Sequence, residues 1–453
     1  EDLAEPLDAI AGRFGKCSAQ PFLRKAWELI CQNHAHDSIC GCSQDRVHDE
    51  VNARFLRVAE IGTDVADAAL DLLNWEARKT GEPAVVVYAG LNAGSPVVDI
   101  VVRLPGRPGR GLCLTEADGT PHPVQFDAVE QLRIVHTNAT VDCFEARGCV
   151  YVPDLQPGEV RRLALTRGRA VAPPSPVRCE GRMLDNGLLR VEVRDDGTLD
   201  LADPRTGFTV PGTHYFVQEL DLGGGYHFEP LAGDTRRDTR GGKARVRRLG
   251  KGPLRGALEV KTRLTVPARY DRQAQKAVGR AAITLTSTFT LEAGSDTLKV
   301  ATVIDNRAGN QRLRLALPTG LQTTEVHADA SFAVHANSPD RWPADEHQNF
   351  HPMRSFVDIS DGDGGIAFLG RGLHEYEIVP TTVGTTIEVT LLRSVDFVFL
   401  CSTWETPGAQ LKGMLTHEYA LRLHRGDWRA GEVAASAATL LHPPVAQTSG
   451  DTL

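Results

Sequence analysis

The hydrophobic period of this chain changes once, near residue 84, and that change limits what it can build. Before it, apolar residues recur at helical spacing. Leu3, Leu7, Ile10 and Phe14 mark a first helix, with Gly15 as its stop. Pro21 opens a second, whose stripe reads Leu23, Ala26, Trp27, Ile30, Cys31 and His34. Ser43 is placed to cap a third, which carries Val47, Val51, Phe55, Val58, Ile61, Val65 and Leu72. Three amphipathic helices with short links predict a small bundle over residues 1–80.

After the switch the period is two. In "PVVDIVVRLP", Val98, Ile100, Val102 and Leu104 share a face. In "ITLTSTFTLEAG", Ile283, Leu285, Phe289 and Leu291 point one way and four threonines the other. "VEVRDDGTLDL" reads as two strands around an Asp-Gly turn. Strands without intervening helices imply antiparallel sandwiches, so the fold class is α+β and mostly β. The Pro-rich "VAPPSPV" at 171–177 divides a smaller sandwich, 84–172, from a larger one, 176–445. "AQTSGDTL", residues 446–453, reads as a disordered tail.

Charge and cysteine usage exclude some classes. A net charge of -8 and a pI near 6.0 give no support to a nucleic-acid or anionic-membrane partner. Apolar runs such as "AVVVY" and "VDFVFL" are strand-length, far short of a bilayer span. Nine cysteines without framework spacing indicate reduced thiols and a cytoplasmic setting. The chain starts at Glu1 with no initiator Met and enters a helical pattern at once, as an excised fragment would.

Chemistry concentrates in "CQNHAHDSICGC", residues 31–42. His34 continues the apolar stripe and reads as a core histidine. His36 and Asp37 fall where the stripe breaks and the chain turns, so they can face a cleft. An imidazole beside a carboxylate suits a first-row metal, or a metal together with a substrate hydroxyl. A zinc sphere needs at least three protein ligands plus water or substrate, so this stretch is one wall of a site. Cys40 and Cys42 lack the spacing of a structural zinc pair or a thioredoxin-like motif and read as small residues packed at a helix end. Elsewhere, Asp49 and Glu50 of "VHDEV" read as a solvated helix face. Arg393 in "TLLRSV" reads as a structural ion-pair residue. Trp342 could stack on a sugar or make a domain contact. His327 and Asp329 form a His-x-Asp on one face of a strand, which reads as coincidence.

"NHAHDSICGCSQDRVHDEV" resembles the corresponding segment of glycoside hydrolase family 38, the zinc-dependent retaining α-mannosidases. Further blocks follow in family order: "VVVYAGLNAGSP", "LDNGLLRVEVRDDGTLDLADPRTG", "GGGYHFEP", "IDNRAGNQRLRLALPTG", "GLHEYEIVPTTVGTTIEVTLLRSV" and "ETPGAQLKG". The "HDSICGCS" form looks most like the bacterial branch, which includes mannosylglycerate hydrolases. The resemblance implies a mutarotase-like large sandwich, and a mannoside or mannosyl-glycan as substrate. It also implies zinc as cofactor, no nucleic-acid or membrane partner, and a homo-oligomer built through the β-domains. Residue by residue, His36 matches the last zinc ligand, Asp37 the carboxylate that holds hydroxyls of the sugar, and Tyr226 the tyrosine that reaches in from the β-domain. Bacterial relatives often carry Asp-x-Gly-Asp before that tyrosine, where this chain has Gly224 at the second acid. The family's nucleophile, its acid/base and its other zinc ligands have no counterpart here and are expected upstream, so the chain alone is expected to be inactive. A second reading is a non-catalytic carbohydrate-binding or scaffolding module. A third is a metal or redox protein built on Cys40 and Cys42.

Overall fold

The computed structural model describes residues 1–78, 84–92, 94–109, 111–135, 140–167, 171–234, 236–339, 350–398 and 404–448. Four helices open the chain: α1 (Ala4–Gly12), α2 (Gln20–Asn33), the single turn α3 (His36–Ile39) and α4 (Asp45–Arg78). Helices α1 and α2 both pack on α4, around Leu7, Ala11, Leu23, Val65, Ala69 and Leu70. Asp8 stands at the joint, where its carboxylate accepts the Ala19 backbone N–H at 3.0 Å and the Ser18 hydroxyl at 3.1 Å. Those bonds satisfy a donor that the start of α2 would otherwise leave without a helical partner.

The buried stripe of α2 differs from the expectation. It runs Leu23, Ala26, Leu29 and Asn33, while Trp27, Cys31 and His34 face outward. Asn33 is fully buried because its amide donates to the Val51 carbonyl at 3.0 Å and its oxygen accepts from Arg54 at 3.3 Å. A satisfied amide is tolerated inside, and it turns the helix so that His34 is exposed and not a core residue. Ser43 also lies outside α4, which begins at Asp45.

The strands that follow form two bodies of sheet. Residues 84–167 and Val445–Thr448 make one seven-stranded antiparallel sheet. It curls around a core of Val85, Val87, Ile100, Leu114, Val150 and Leu163. Its outer strands approach each other closely enough for the Thr448 hydroxyl to donate to Val101 O at 2.8 Å. Val445–Thr448 therefore corrects the expectation of a loose tail from residue 446: these residues pair with Ala84–Tyr88, Val445 opposite Tyr88 and Thr448 opposite Val85. The four residues are half-buried, with Ala446 packed on the core of this sheet and Val445 on that of the helices, contacts that composition alone concealed.

The larger body holds sheets of nine, six and five strands around one shared core. Ile283, Leu285, Phe289 and Leu291 are all fully buried there, as their alternation requires. The hairpin of Arg190–Val193 and Leu199–Ala202 turns through Asp196 and Gly197, whose φ of +91° suits glycine. On the six-stranded sheet, Leu313 and Leu315 face the core, and so Arg312 and Arg314 face the other way. Arg314 is 2% exposed and bonds Glu219, Glu377 and Glu388. Arg312 bonds Glu219 at 3.1 Å and lies 3.5 Å beneath the ring of Phe228. This charged layer is roofed by the loop that carries Tyr226. Among the described residues, no helix is long and apolar enough to cross a membrane, and the eight cysteines are unpaired.

Candidate functional site

The helical end of α2 places the first half of the site. Ala35 breaks the helix with an extended backbone, and α3 then presents His36 and Asp37 on one turn. Gly41 adopts φ +77°, which reverses the chain and lets the Cys42 N–H donate to Asp37 O at 3.1 Å. Cys42 is thereby buried, with its sulfur 3.7 Å from Asp37 O and 3.9 Å from Asp37 Oδ1. Cys40 is exposed. His36 and Asp37 stay open: their side chains are 92% and 53% exposed, with Nε2 3.3 Å from Oδ1.

The second half comes from the "GGGYHFEP" loop. A bridge between Asp221 and Pro230 closes its base, and the Leu222 N–H donates to Glu229 O at 2.7 Å. Gly225 meets the helical segment, where a Cβ would lie 3.3 Å from that of Cys42. Tyr226 follows and donates its phenol to Asp37 Oδ1 at 3.3 Å. A hydrogen bond to Cys42 and the charge of Asp37 push the phenol up to about 12, so it remains a protonated donor at neutral pH.

The structure therefore brings His36, Asp37 and Tyr226 together from two distant parts of the chain. Cys42 is packed at the helix end, as the sequence suggests, whereas Cys40 is not; what sequence reasoning missed is the contact of Cys42 with Asp37 and Tyr226, which the turn at Gly41 makes possible. The loss of the second acid at Gly224 is also explained locally. A Cβ there would come within 2.8 Å of Val398 O, so this loop conformation has no room for a side chain.

The blocks that carry the resemblance converge behind the loop. Arg393 of "TLLRSV" bonds Asp221 and two loop carbonyls, as the structural reading expected. Asn310, from "AGNQ", and Gln410, from "ETPGAQ", both bond Asp396. Asp396 accepts from Arg272 Nε at 3.1 Å, and Arg272 reaches Leu222 O at 3.1 Å. Asp45, at the start of α4, accepts the Gly408 N–H at 2.9 Å and ties the helices to the same block.

The other expected features are accounted for. Asp49 and Glu50 are exposed. His327 lies beside Glu325 and near Trp428, and Asp329 accepts from Ser355, so both have structural partners. Trp342 lies outside the described residues.

As to a metal, His36 offers an open imidazole and Asp37 an open carboxylate, donors that fit one side of a zinc sphere. Among the described residues no three His, Cys, Asp or Glu side chains stand close enough together to hold an ion. Two donors alone would leave such a sphere incomplete.

Solved structures share the fold. An α-mannosidase from Enterococcus faecalis V583 matches over 99% of this chain and 55% of its own, at 24% identity and a TM-score of 0.86. A protein in glycosyl hydrolase family 38, also from Enterococcus faecalis, matches over 99% of this chain and 57% of its own, with 24% identity and a TM-score of 0.87. In sequence, a Halalkalibacterium halodurans protein named "Putative mannosylglycerate hydrolase" is 28% identical over 470 residues, which are 91% of this chain and 51% of that protein. The chain thus spans about half the length of the relatives it matches. Residues 184–397 match the glycosyl hydrolases family 38 C-terminal domain. Over residues 184–397, therefore, the chain carries a glycosyl hydrolases family 38 C-terminal domain.

Proposed function

We propose that this chain forms the helical and β-sheet portion of a zinc-dependent retaining α-mannosidase. It would divide into a helical bundle (1–80), a small β-domain (84–172) and a large β-domain (176–445). The observation that carries the reading is the meeting of His36, Asp37 and Tyr226 on an open rim. His36 would be one zinc ligand, and Asp37 and Tyr226 would bind hydroxyls of the sugar. Zinc, when bound, supplies Lewis acidity toward substrate oxygens. Asp37 meets Tyr226, His36 and Cys42 through Oδ1 and, half exposed, would accept from vicinal hydroxyls through its other oxygen. Tyr226 then offers its phenolic oxygen as an acceptor while its O–H donates to Asp37. The nucleophilic and acid/base carboxyl groups would come from an N-terminal half equivalent to that of the relatives. The two would lie at the close spacing of retaining enzymes.

Zinc per polypeptide, by elemental analysis, tests this on the present chain beside one that carries such an N-terminal half. Stoichiometric zinc in the longer protein, little in the shorter, and loss of both zinc and aryl α-mannoside turnover in His36→Ala are expected. Normal zinc and turnover in that variant would overturn the metal assignment. Turnover by the present chain alone would overturn the placement of the catalytic carboxyl groups in an N-terminal half.

A further inference from the structure

Arg393 holds the Tyr226 loop by three bonds at once. Its Nε donates to Asp221 Oδ2 at 2.8 Å, and its Nη2 to Gly224 O at 3.1 Å and His227 O at 2.7 Å. Those carbonyls bracket Tyr226 on either side. Asp221 is fully buried, and its other oxygen accepts the N–H of Gly223 at 2.9 Å and of Glu229 at 3.2 Å. The Gly225 N–H completes the frame, donating to Phe397 O at 3.1 Å and Val398 O at 2.9 Å.

Three glycines let the backbone pass through this frame. A Cβ at Gly223 would stand 1.9 Å from His227 O, and one at Gly224 2.8 Å from Val398 O. The loop itself makes no regular ladder beyond its base, and three adjacent glycines give it wide conformational freedom. Tyr226 reaches Asp37 from outside the helical segment, with its own side chain half exposed. Where the phenol starts from is set by the backbone beneath it, which Arg393 holds on both sides of Tyr226.

We propose that Arg393 is a positioning residue: its guanidinium, anchored on Asp221, fixes the Gly223–His227 backbone and thereby the reach of Tyr226 to Asp37. This deepens the reading of Tyr226 as a substrate-site residue and rests on it. The fork geometry is what the role requires. A planar guanidinium can serve a carboxylate and two carbonyls together, whereas an ammonium of equal charge is a single point.

Arg393→Lys therefore keeps the ion pair with Asp221 and removes the fork. Two measurements read the result. In hydrogen exchange on the present chain, loop amides of Gly223, Gly225 and Glu229 should exchange about ten- to a hundredfold faster, the value of a lost charged hydrogen bond. Amides of the nine-stranded sheet should not change. Asp221→Asn should give the same pattern. In the longer protein, misplacement of Tyr226 by about 1 Å should reduce kcat/KM by about a hundredfold. The same substitution in a Tyr226→Phe background should then cost little more than Tyr226→Phe alone, since both act through one phenol. Unchanged loop exchange overturns the proposal at its structural step. Effects of Arg393→Lys and Tyr226→Phe that multiply overturn the positioning role while the reading of Tyr226 stands. Full turnover in Tyr226→Phe overturns that reading, and the proposal with it.

Discussion

The phenol of Tyr226 meets Asp37 Oδ1 at 3.3 Å, although the two residues are 189 positions apart. One belongs to a single helical turn and the other to a glycine-rich loop of the larger sheet body. Their contact is the point at which a bundle and a β-domain act as one surface. Removing only the hydroxyl, in Tyr226→Phe, should leave the loop in place. A lost hydrogen bond to a charged group is worth about 1.5–3 kcal/mol. In the longer protein a drop in kcat/KM of about ten- to a hundredfold is expected, and unchanged kinetics would show the contact to be incidental.

Gly223→Ala and Gly62→Ala should have opposite signs. At Gly223 the new methyl would fall 1.9 Å from His227 O and 2.9 Å from Asp221 Oδ1, so the loop must move. Strain of this kind costs about 1–3 kcal/mol. Gly62 lies inside α4 with nothing within 4 Å of its Cβ position. There the change should stabilise by about 0.8–1 kcal/mol, the helix propensity difference. Urea midpoints of the two variants provide the check, and shifts of the same sign would contradict the packing described.

Arg314→Met should destabilise the larger body severely. Glu219, Glu377 and Glu388 all lean on this one guanidinium. Burial tends to raise the Glu219 carboxyl, and Arg314, Arg312 and Arg236 outweigh that and hold it below its usual range. Without Arg314, buried carboxylates lose their main counter-charge, at a cost of about 3–5 kcal/mol. A calorimetric or denaturant midpoint close to wild type would show that the layer contributes nothing to stability.

His214 gives the fold an acid sensitivity with a definite direction. It is buried against Phe216 and Phe289, with Nε2 2.7 Å from the Tyr419 hydroxyl. Burial lowers its pKa from 6.5 to about 3. Below about pH 6.5 the unfolded chain takes up a proton that the folded chain refuses, so unfolding gains as pH falls toward 3. This residue's contribution is fully present above that window and is lost through it. His214→Asn tolerates the positive φ of 65° and should flatten the pH dependence between 6 and 4.5 by about 1.4 kcal/mol per unit. Identical slopes in the two proteins would refute the assignment.

Periodicity made most of the architecture legible. The change from period 3.6 to period two located the bundle and the sheets, and Val98 to Leu104 and Ile283 to Leu291 bury the faces they were expected to bury. The stripe of α2 was misplaced because Asn33, a polar residue, occupies a core position through bonds to Val51 and Arg54 that no local pattern encodes. His36 and Asp37 could be singled out as a pair because they are adjacent in sequence. Cys42 was legible only as a residue packed at a helix end, since its place beside Asp37 and Tyr226 comes from the turn at Gly41 and from a loop far along the chain. The partners of Arg393 could not be singled out. Asp221, Gly224 and His227 become its neighbours only when the sheets assemble.

Val445–Thr448 completes a sheet whose other strands lie between Ala84 and Arg167. During synthesis that sheet waits with Ala84–Tyr88 unpaired along one edge. At roughly 5–20 residues per second, the delay before the closing strand emerges is on the order of tens of seconds. Asn74 donates to Gln447 O and Gln447 to Asp71, so the same late strand also latches α4. The early-made bundle and small sheet are thus finished by the most C-terminal of the described strands. A ribosome that stalls before residue 445 leaves an open β-edge exposed to neighbouring chains.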